Sequence, residues 1–360
     1  ATHVVLGEPV DGWKVGDQII VTASNNHKPI HTYRGKTIRG AEGRLQTEER
    51  RIVKIDGRTL TLDKPLAYEH VGTGEMRSEV ANLSRNVVIE SANLKMRGHT
   101  MFHKHSAGSL AYAEFRHLGK EGLLGKYPIH YHLVGDTMRG SSVVGVSVWD
   151  SHNRWVVIHG TDHMLVRDCV GYQSVGHGYF LEDGTEQYNV LDRNLAVQAY
   201  LGKPLPKQAL PFDKNEGSGF WWANGRNTLT RNVACESERY GFFYEMTRRD
   251  GFNTVLPLRQ PDGSVKKIDV RTVPFFRFED NEAHSTRLYG FKFGDPGMGI
   301  RGDKEHPFIV RNNRAWQTRY GFRPNMEFVL VDGLKVWSNS YGIYGPSLDM
   351  QVFRNIHLRD

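Results

Sequence analysis

The sequence predicts an all-β chain folded as one parallel β-helix (solenoid), with a short antiparallel β cap at the N-terminus. Three observations lead there. The 360 residues include 38 glycines and 14 prolines, a composition of many turns and few long helices. A short pattern recurs in the second half of the chain. The smallest spacing between copies is 21 residues, from Asn312 to Gly333, which suits one coil of a three-strand β-helix. A β-propeller blade needs about 40–50 residues. Solenoids reach this length as a single unit, and 39% hydrophobic residues suffice for a sizeable core.

The copies span residues 168–181, 231–244, 280–293, 311–324 and 332–345. Each opens on a charged residue, usually followed by a turn former, and carries a glycine ten positions later: Gly178, Gly241, Gly290, Gly321 and Gly342. A sixth copy opens at Arg193-Asn194 and closes at Gly219-Phe220-Trp221-Trp222, around a Pro/Lys-rich insertion. One such rung is too small to bury its own apolar face, so stacking must place like over like. Phe242, Phe291 and Phe322, with Tyr179 and Ile343, fall at one repeat position and predict a ladder. The glycine before them suits a corner of positive φ or a close approach of backbones. Residues 1–75 differ: Gly12–Val21, 49–57 and 59–63 alternate apolar and polar residues around Gly and Asp turns, the signature of short antiparallel strands. This element is expected to cap the solenoid, which occupies 76–360 and begins its regular rungs near Arg85.

Several segments carry a resemblance. Tyr127-Pro-Ile-His-Tyr-His132, Val157-Ile-His-Gly-Thr161, the stretch from Gly176 to Gln187, the stretch from Met76 to Asn86, and Gly12-Trp13 with Gly16-Asp17 are similar to segments of the cell-migration-inducing hyaluronidase family and its transmembrane paralogue. The similarity follows nearly the whole chain in order. It implies a single-stranded right-handed parallel β-helix, an extracellular (secreted) setting, and hyaluronan as the associated polymer. It also implies that residues 1–75 correspond to the end of a glycine-marked β domain. The resemblance transfers no catalytic residues.

The charge balance, 47 basic against 40 acidic residues, favours polyanions. With no lysine-rich arm and no Walker-type loop, nucleic acid is not the expected partner. No apolar run reaches the length of a membrane span, and the first residues read as mid-domain sequence rather than a signal peptide. Two cysteines, Cys169 and Cys235, allow one bridge at most and exclude a disulfide framework.

Ten of the 17 histidines lie between His99 and His177. His130 and His132 form a His-x-His pair on an expected strand, so both side chains leave the same face. His103 and His105 repeat the pattern about one rung earlier. Stacked in register, these four imidazoles would hold a divalent metal such as zinc, copper or calcium; the competing reading is a histidine ladder bonded to backbone and solvent. His177 stands where the other copies have tyrosine, so it either continues a structural ladder or begins a site. The carboxylates follow at once. Glycoside cleavage needs two carboxyl groups flanking the bond. Of the adjacent pair Glu182 and Asp183 only one should reach a groove; Asp183 is the choice, with Glu186 or Asp150 as partner, against the plain reading of turn-capping acids. A lyase would use a base such as Lys126, Tyr127, His130 or His132, with a cation on the uronate. Trp149, Trp155, Trp221 and Trp222 are candidate sugar platforms, one of the adjacent pair Trp221 and Trp222 being expected to line a groove. Arg154, Arg226, Arg239, Arg319 and Arg323, with Lys126 and Tyr127, are candidate uronate contacts. Each tryptophan could equally be core.

These residues point to a carbohydrate-active protein that binds and depolymerises an acidic polysaccharide. Two other classes stay open at this point: a non-catalytic glycan-binding module, and a metal enzyme of another kind.

Overall fold

A computed structural model describes residues 1–25, 45–248, 251–345 and 350–359. Apart from one 3-10 turn at Val270–Thr272, all regular structure among the described residues is β. The chain winds as a parallel β-helix whose coils lay strands on three faces. One face is a nine-stranded parallel sheet, its strands numbered here in chain order: β1 Phe102–His103, β2 Ile129–Gly135, β3 Val156–Thr161, β4 Tyr179–Leu181, β5 Ser218–Trp222, β6 Tyr240–Tyr244, β7 Tyr289–Phe293, β8 Tyr320–Pro324 and β9 Tyr341–Ile343. The other two faces merge through the long strand Phe308–Trp316, which pairs with strands of both, giving one 16-stranded sheet.

The ladder predicted from the repeat is present in register. Tyr179 pairs with Phe220, Phe220 with Phe242, Phe242 with Phe291, Phe291 with Phe322, and Phe322 with Ile343. Ring centroids stand 4.9, 4.7, 5.0 and 6.3 Å apart from Tyr179 to Phe322, and all four phenylalanines are buried. Each such contact adds about 0.5–1.5 kcal/mol beyond area burial. The glycine before each ladder residue answers the second of its two explanations, close approach. A Cβ on Gly241 would lie 2.6 Å from the Gly290 carbonyl oxygen, and one on Gly290 2.7 Å from that of Gly321. Positive φ instead marks the start of each copy: the opening residues Asp168, Arg193, Arg231 and Asp280, and the second residues Asn312 and Gly333. After them, buried asparagines 194, 232 and 281 bond from coil to coil: the Asn194 amide donates to Asn232 Oδ1 and the Asn232 amide to Asn281 Oδ1, at 3.0 and 3.1 Å. A turn residue in the left-handed region followed by an amide ladder is thus the physical content of the charged-plus-turn-former pattern.

The N-terminal strands, from His3–Val5 to Val80–Asn82, form a five-stranded antiparallel sheet. It lies along a flank rather than over the open end of the solenoid. Ile20, Ala81 and Leu83 pack against Val170, Tyr172, Val197 and Cys235, and the Gln46 amide donates to Glu236 at 2.6 Å. An apolar strip on the outside of a coil face therefore required covering, which the repeat pattern did not disclose. Cys169 and Cys235 are both free and buried.

Candidate functional site

Alternation along β2, β3 and β4 decides what faces outward. Ile129 and Tyr131, Val156 and Ile158, and Tyr179 and Leu181 enter the core; His130, His132, His159 and the residue after β4, Glu182, leave it. Parallel register then stacks them. His132 pairs with His103 on one side and His159 on the other, and the pairing of Ile158 with Leu181 brings Glu182 beside His159.

The result is a compact cluster. His132 Nδ1 and His159 Nδ1 are 3.1 Å apart. Glu182 Oε2 stands 3.7 Å from His130 Nε2 and 3.6 Å from His159 Nδ1. The far nitrogen of His159, Nε2, is 3.3 Å from Asp183 Oδ2, and His130 Nδ1 is 3.2 Å from the Gly125 carbonyl. The Tyr127 hydroxyl donates to Glu182 Oε1 at 3.3 Å. Burial, with the neighbouring imidazoles of His132 and His159, pushes His130 down to about 3, and burial raises Glu182. Burial also works to raise Asp183, but the hydrogen bond and charge of His159 outweigh it and hold that carboxyl at about 2. His130, His132 and His159 offer ligand atoms within 4.8 Å of one another.

Of the four histidines proposed for a metal, the structure brings His130 and His132 together but not the other two. His103 is exposed, its ring tilted by 42° against that of His132 with centroids 5.2 Å apart. His105 is exposed in the turn after β1 and makes no contact with the group. His159 and Glu182 take their places. Both belonged to the legible histidine and acidic stretch, but only the register selects them. Glu182 and Asp183 both reach His159 because β4 ends at Leu181. The strand rule that opposed them stops there.

Asp183 is half-buried at the surface of the cluster and accepts from the Thr185 hydroxyl at 2.6 Å. Of its two expected partners, Glu186 is adjacent, its carboxyl meeting that of Asp183, and Asp150 lies elsewhere. Glu186 is fully buried and accepts from the amides of Gly160, Asp183 and Gly184 at 2.8–3.0 Å, so it ties a turn together. Asp150 sits beyond strand Ser147–Trp149 of another face, bonded to His117 and Arg97.

His177 belongs to a second, buried group. Its Nε2 is 2.8 Å from Asp213 Oδ1, and the Arg154 guanidinium donates to Asp213 Oδ2 at 2.6 Å and to Asn215 at 3.1 Å. The His177 ring stacks on Phe180 and Trp221, and Arg154 lies 3.7 Å over Phe180. The loop preceding β5 supplies Asp213, and its Leu205, Leu210 and Phe212 cover Phe180 and Trp221. Arg154 is therefore a pin for this loop, its guanidinium fully buried and out of reach of a uronate. Trp155 and Trp222 are core residues; Trp155 lies where Gly171 and Gly178 leave room, since a Cβ on either would come within 2.3 Å of its ring. Trp221, on the opposite face of β5 from Trp222, is also buried, beneath the loop. The expectation that one of this pair lines a groove is thus corrected. Trp149 is half-buried on another face, its indole donating to Glu114 at 3.1 Å. Arg226 donates to Gln187 at 3.0 Å, and Lys126 Nζ lies 3.3 Å from His99 Nε2. Of the expected sugar contacts, Tyr127 alone touches the cluster directly.

Further along the same outer row, two of the expected uronate contacts, Arg239 and Arg323, meet at a cavity of about 200 Å³, which the sequence did not disclose. The row reads His130, Val157, Phe180, Trp221, Phe243, Lys292, Arg323 in register. Its apolar middle lies under the loop; its far end opens into the cavity, lined among others by Arg239, Tyr240, Phe243, Glu245, Lys292 and Arg323. Lys292 Nζ is 2.8 Å from Asp295 and 4.4 Å over the Phe243 ring, and Arg323 donates to the Tyr289 hydroxyl at 2.7 Å. Burial raises Glu245 to about 8. From His130 to Lys292 is five strand spacings, about 24 Å.

The family model described as CEMIP beta-helix matches residues 95–291, more than half of the chain and the span that holds the cluster. The chain belongs to this family. Among curated relatives, the family member described here is 29% identical to mouse fibrocystin-L over 77% of this chain and 7% of that protein. It is 28% identical to human cell surface hyaluronidase CEMIP2, over 93% of this chain and 26% of that one. It is also 28% identical to the human cell migration-inducing and hyaluronan-binding protein, over 81% and 23%. The chain thus spans about a quarter or less of the length of these relatives.

Proposed function

We propose that this chain binds an acidic polysaccharide of the hyaluronan type along the outer face of the nine-stranded sheet and cleaves it there, in an extracellular setting. The observation that carries the reading is the alignment on one face of two unlike sites. One is an imidazole–carboxylate cluster on β2–β4; the other is a cavity on β6–β8 that holds Arg323 together with Arg239 and Lys292, which pair with Glu216 and Asp295. A linear polyanion laid across the strands meets cations at one end and proton-transfer groups at the other. Guanidinium and ammonium groups recognise uronate carboxylates, Tyr240 and Phe243 give the cavity aromatic walls, and Asp183 with His159 supplies a base and a proton donor at the cluster. Two relatives named for hyaluronidase activity or hyaluronan binding support the choice of polymer. The test is incubation with hyaluronan, following product size and the ultraviolet absorbance of unsaturated ends. Shortened chains are expected, and the absorbance assigns lyase or hydrolase. Retained binding without shortening would favour a glycan-binding module instead, and absence of both would overturn the proposal.

A further inference from the structure

We infer that His130, His132, His159 and Glu182 form a binding site for one divalent transition-metal ion of the zinc class. The inference stands on its own observations and holds whether or not the chain cleaves a glycan.

The directions of the lone pairs make the argument. His130 Nδ1 faces the Gly125 carbonyl at 3.2 Å and must donate to it, which leaves Nε2 as a lone pair. His159 Nε2 faces Asp183 Oδ2 at 3.3 Å and donates likewise, leaving Nδ1 as a lone pair. These two lone pairs both face Glu182 Oε2, itself an acceptor, and His132 Nδ1 lies against His159 Nδ1, the three histidines offering ligand atoms within 4.8 Å of one another. Both His130 Nε2 and Glu182 Oε2 are buried and have no hydrogen-bond partner, in side chains only 1% and 2% exposed. Acceptors aimed at acceptors in a desolvated place are costly unless a cation stands between them. The supporting contacts have the form that metal sites use: an imidazole's outer N–H held by a carboxylate or a backbone carbonyl, which fixes the tautomer and the ring.

Spacing agrees. Two nitrogens bound about 2.0–2.1 Å from a tetrahedral zinc lie roughly 3.3–3.4 Å apart. The observed separations are 3.1 Å for the two Nδ1 atoms and 3.6–3.7 Å from Glu182 to His159 and His130, with all three histidine ligand atoms within 4.8 Å of one another. Three nitrogen donors and a single carboxylate select zinc, cobalt, nickel or copper. They argue against calcium, which takes six to eight oxygen ligands. Of the metals expected from the sequence, calcium is thus the one this ligand set disfavours.

The experiment uses the full chain, stripped with a chelator after purification without a nickel column. Zinc is titrated calorimetrically, and cobalt is followed by its visible absorption. The expected result is one equivalent of zinc, a tetrahedral cobalt spectrum, and no competition from millimolar calcium. His132→Ala and His159→Ala should each weaken zinc by at least a hundredfold, and Asp183→Asn by about 10–100-fold through the lost outer bond. His105→Ala should bind as the parent does. Circular dichroism and melting of each variant show that it folds. A folded parent that takes up neither ion, or His132→Ala and His159→Ala variants that bind as the parent does, would overturn the site. No glycan enters these measurements, so their failure is separate from failure of the cleavage assay.

Discussion

Replacing Asp213 by asparagine removes the charge that holds the loop before β5 against the solenoid. In the native chain this carboxylate meets Arg154 at 2.6 Å and His177 at 2.8 Å, with Arg154 fully buried and the other two no more than 2% exposed. The isosteric amide keeps the volume but leaves the Arg154 guanidinium charged, dry and uncompensated. Breaking a buried pair in this way costs about 3–5 kcal/mol. Burial alone would raise the Asp213 carboxyl, but the charges of Arg154 and His177 overcome it and hold the group at about 2. A depressed carboxyl stabilises the fold fully above its ordinary range near 4, and this contribution fades as pH falls towards 2. Urea unfolding of parent and Asp213→Asn should therefore differ by several kcal/mol at pH 7, with the gap closing at acid pH. The break should be local, since each coil contacts mainly its neighbours, so limited proteolysis should cut within 201–216 before elsewhere. A variant within about 0.5 kcal/mol of the parent at pH 7, with an uncut loop, would refute the reasoning.

Other consequences follow from the same geometry. Phe242→Ala empties one position of the inner ladder and should destabilise the chain by about 3–5 kcal/mol in urea melts. Gly290→Ala places a methyl 2.7 Å from the Gly321 carbonyl and 3.0 Å from Ala315, so the coils must part; a loss of about 1–3 kcal/mol is expected by the same melts. Arg323→Ala should lower hyaluronan affinity about tenfold in titration calorimetry, the loss of one charged hydrogen bond, while leaving the melting temperature nearly unchanged. The parent's affinity should fall as salt rises from 50 to 500 mM because the contacts are ionic.

The sequence disclosed most of what repeats and little of what register decides. The glycine–aromatic rung was legible because each copy must solve the same packing problem, so Phe242, Phe291 and Phe322 recur at one position and stack there. His103, His130 and His132 were visible as a pattern. The choice of His159 and Glu182 as their neighbours was not, because coils differ in length and β4 ends one residue before Glu182. Arg154, Trp155 and Trp222 have side chains that often bind sugar, but here they are buried. What buries Arg154 is the loop before β5, whose Leu205, Leu210 and Phe212 are scattered among prolines and lysines and carry no periodic signal. Arg239 and Arg323 were legible as uronate contacts, but their meeting with Lys292 at one cavity was not. Lys292 sits inside a regular rung, where the repeat drew attention to the inward positions.

In the proposed function one outer face serves a polyanion, with the cluster on β2–β4 as the place of cleavage. The most direct test incubates hyaluronan with the parent, with His159→Ala and with Arg323→Ala, and sizes the polymer over time. Progressive shortening is expected from the parent, none from His159→Ala despite retained binding, and shortening from Arg323→Ala only at raised polymer concentration. Polymer of unchanged length with the parent, or equal shortening by the parent and His159→Ala, would contradict that function.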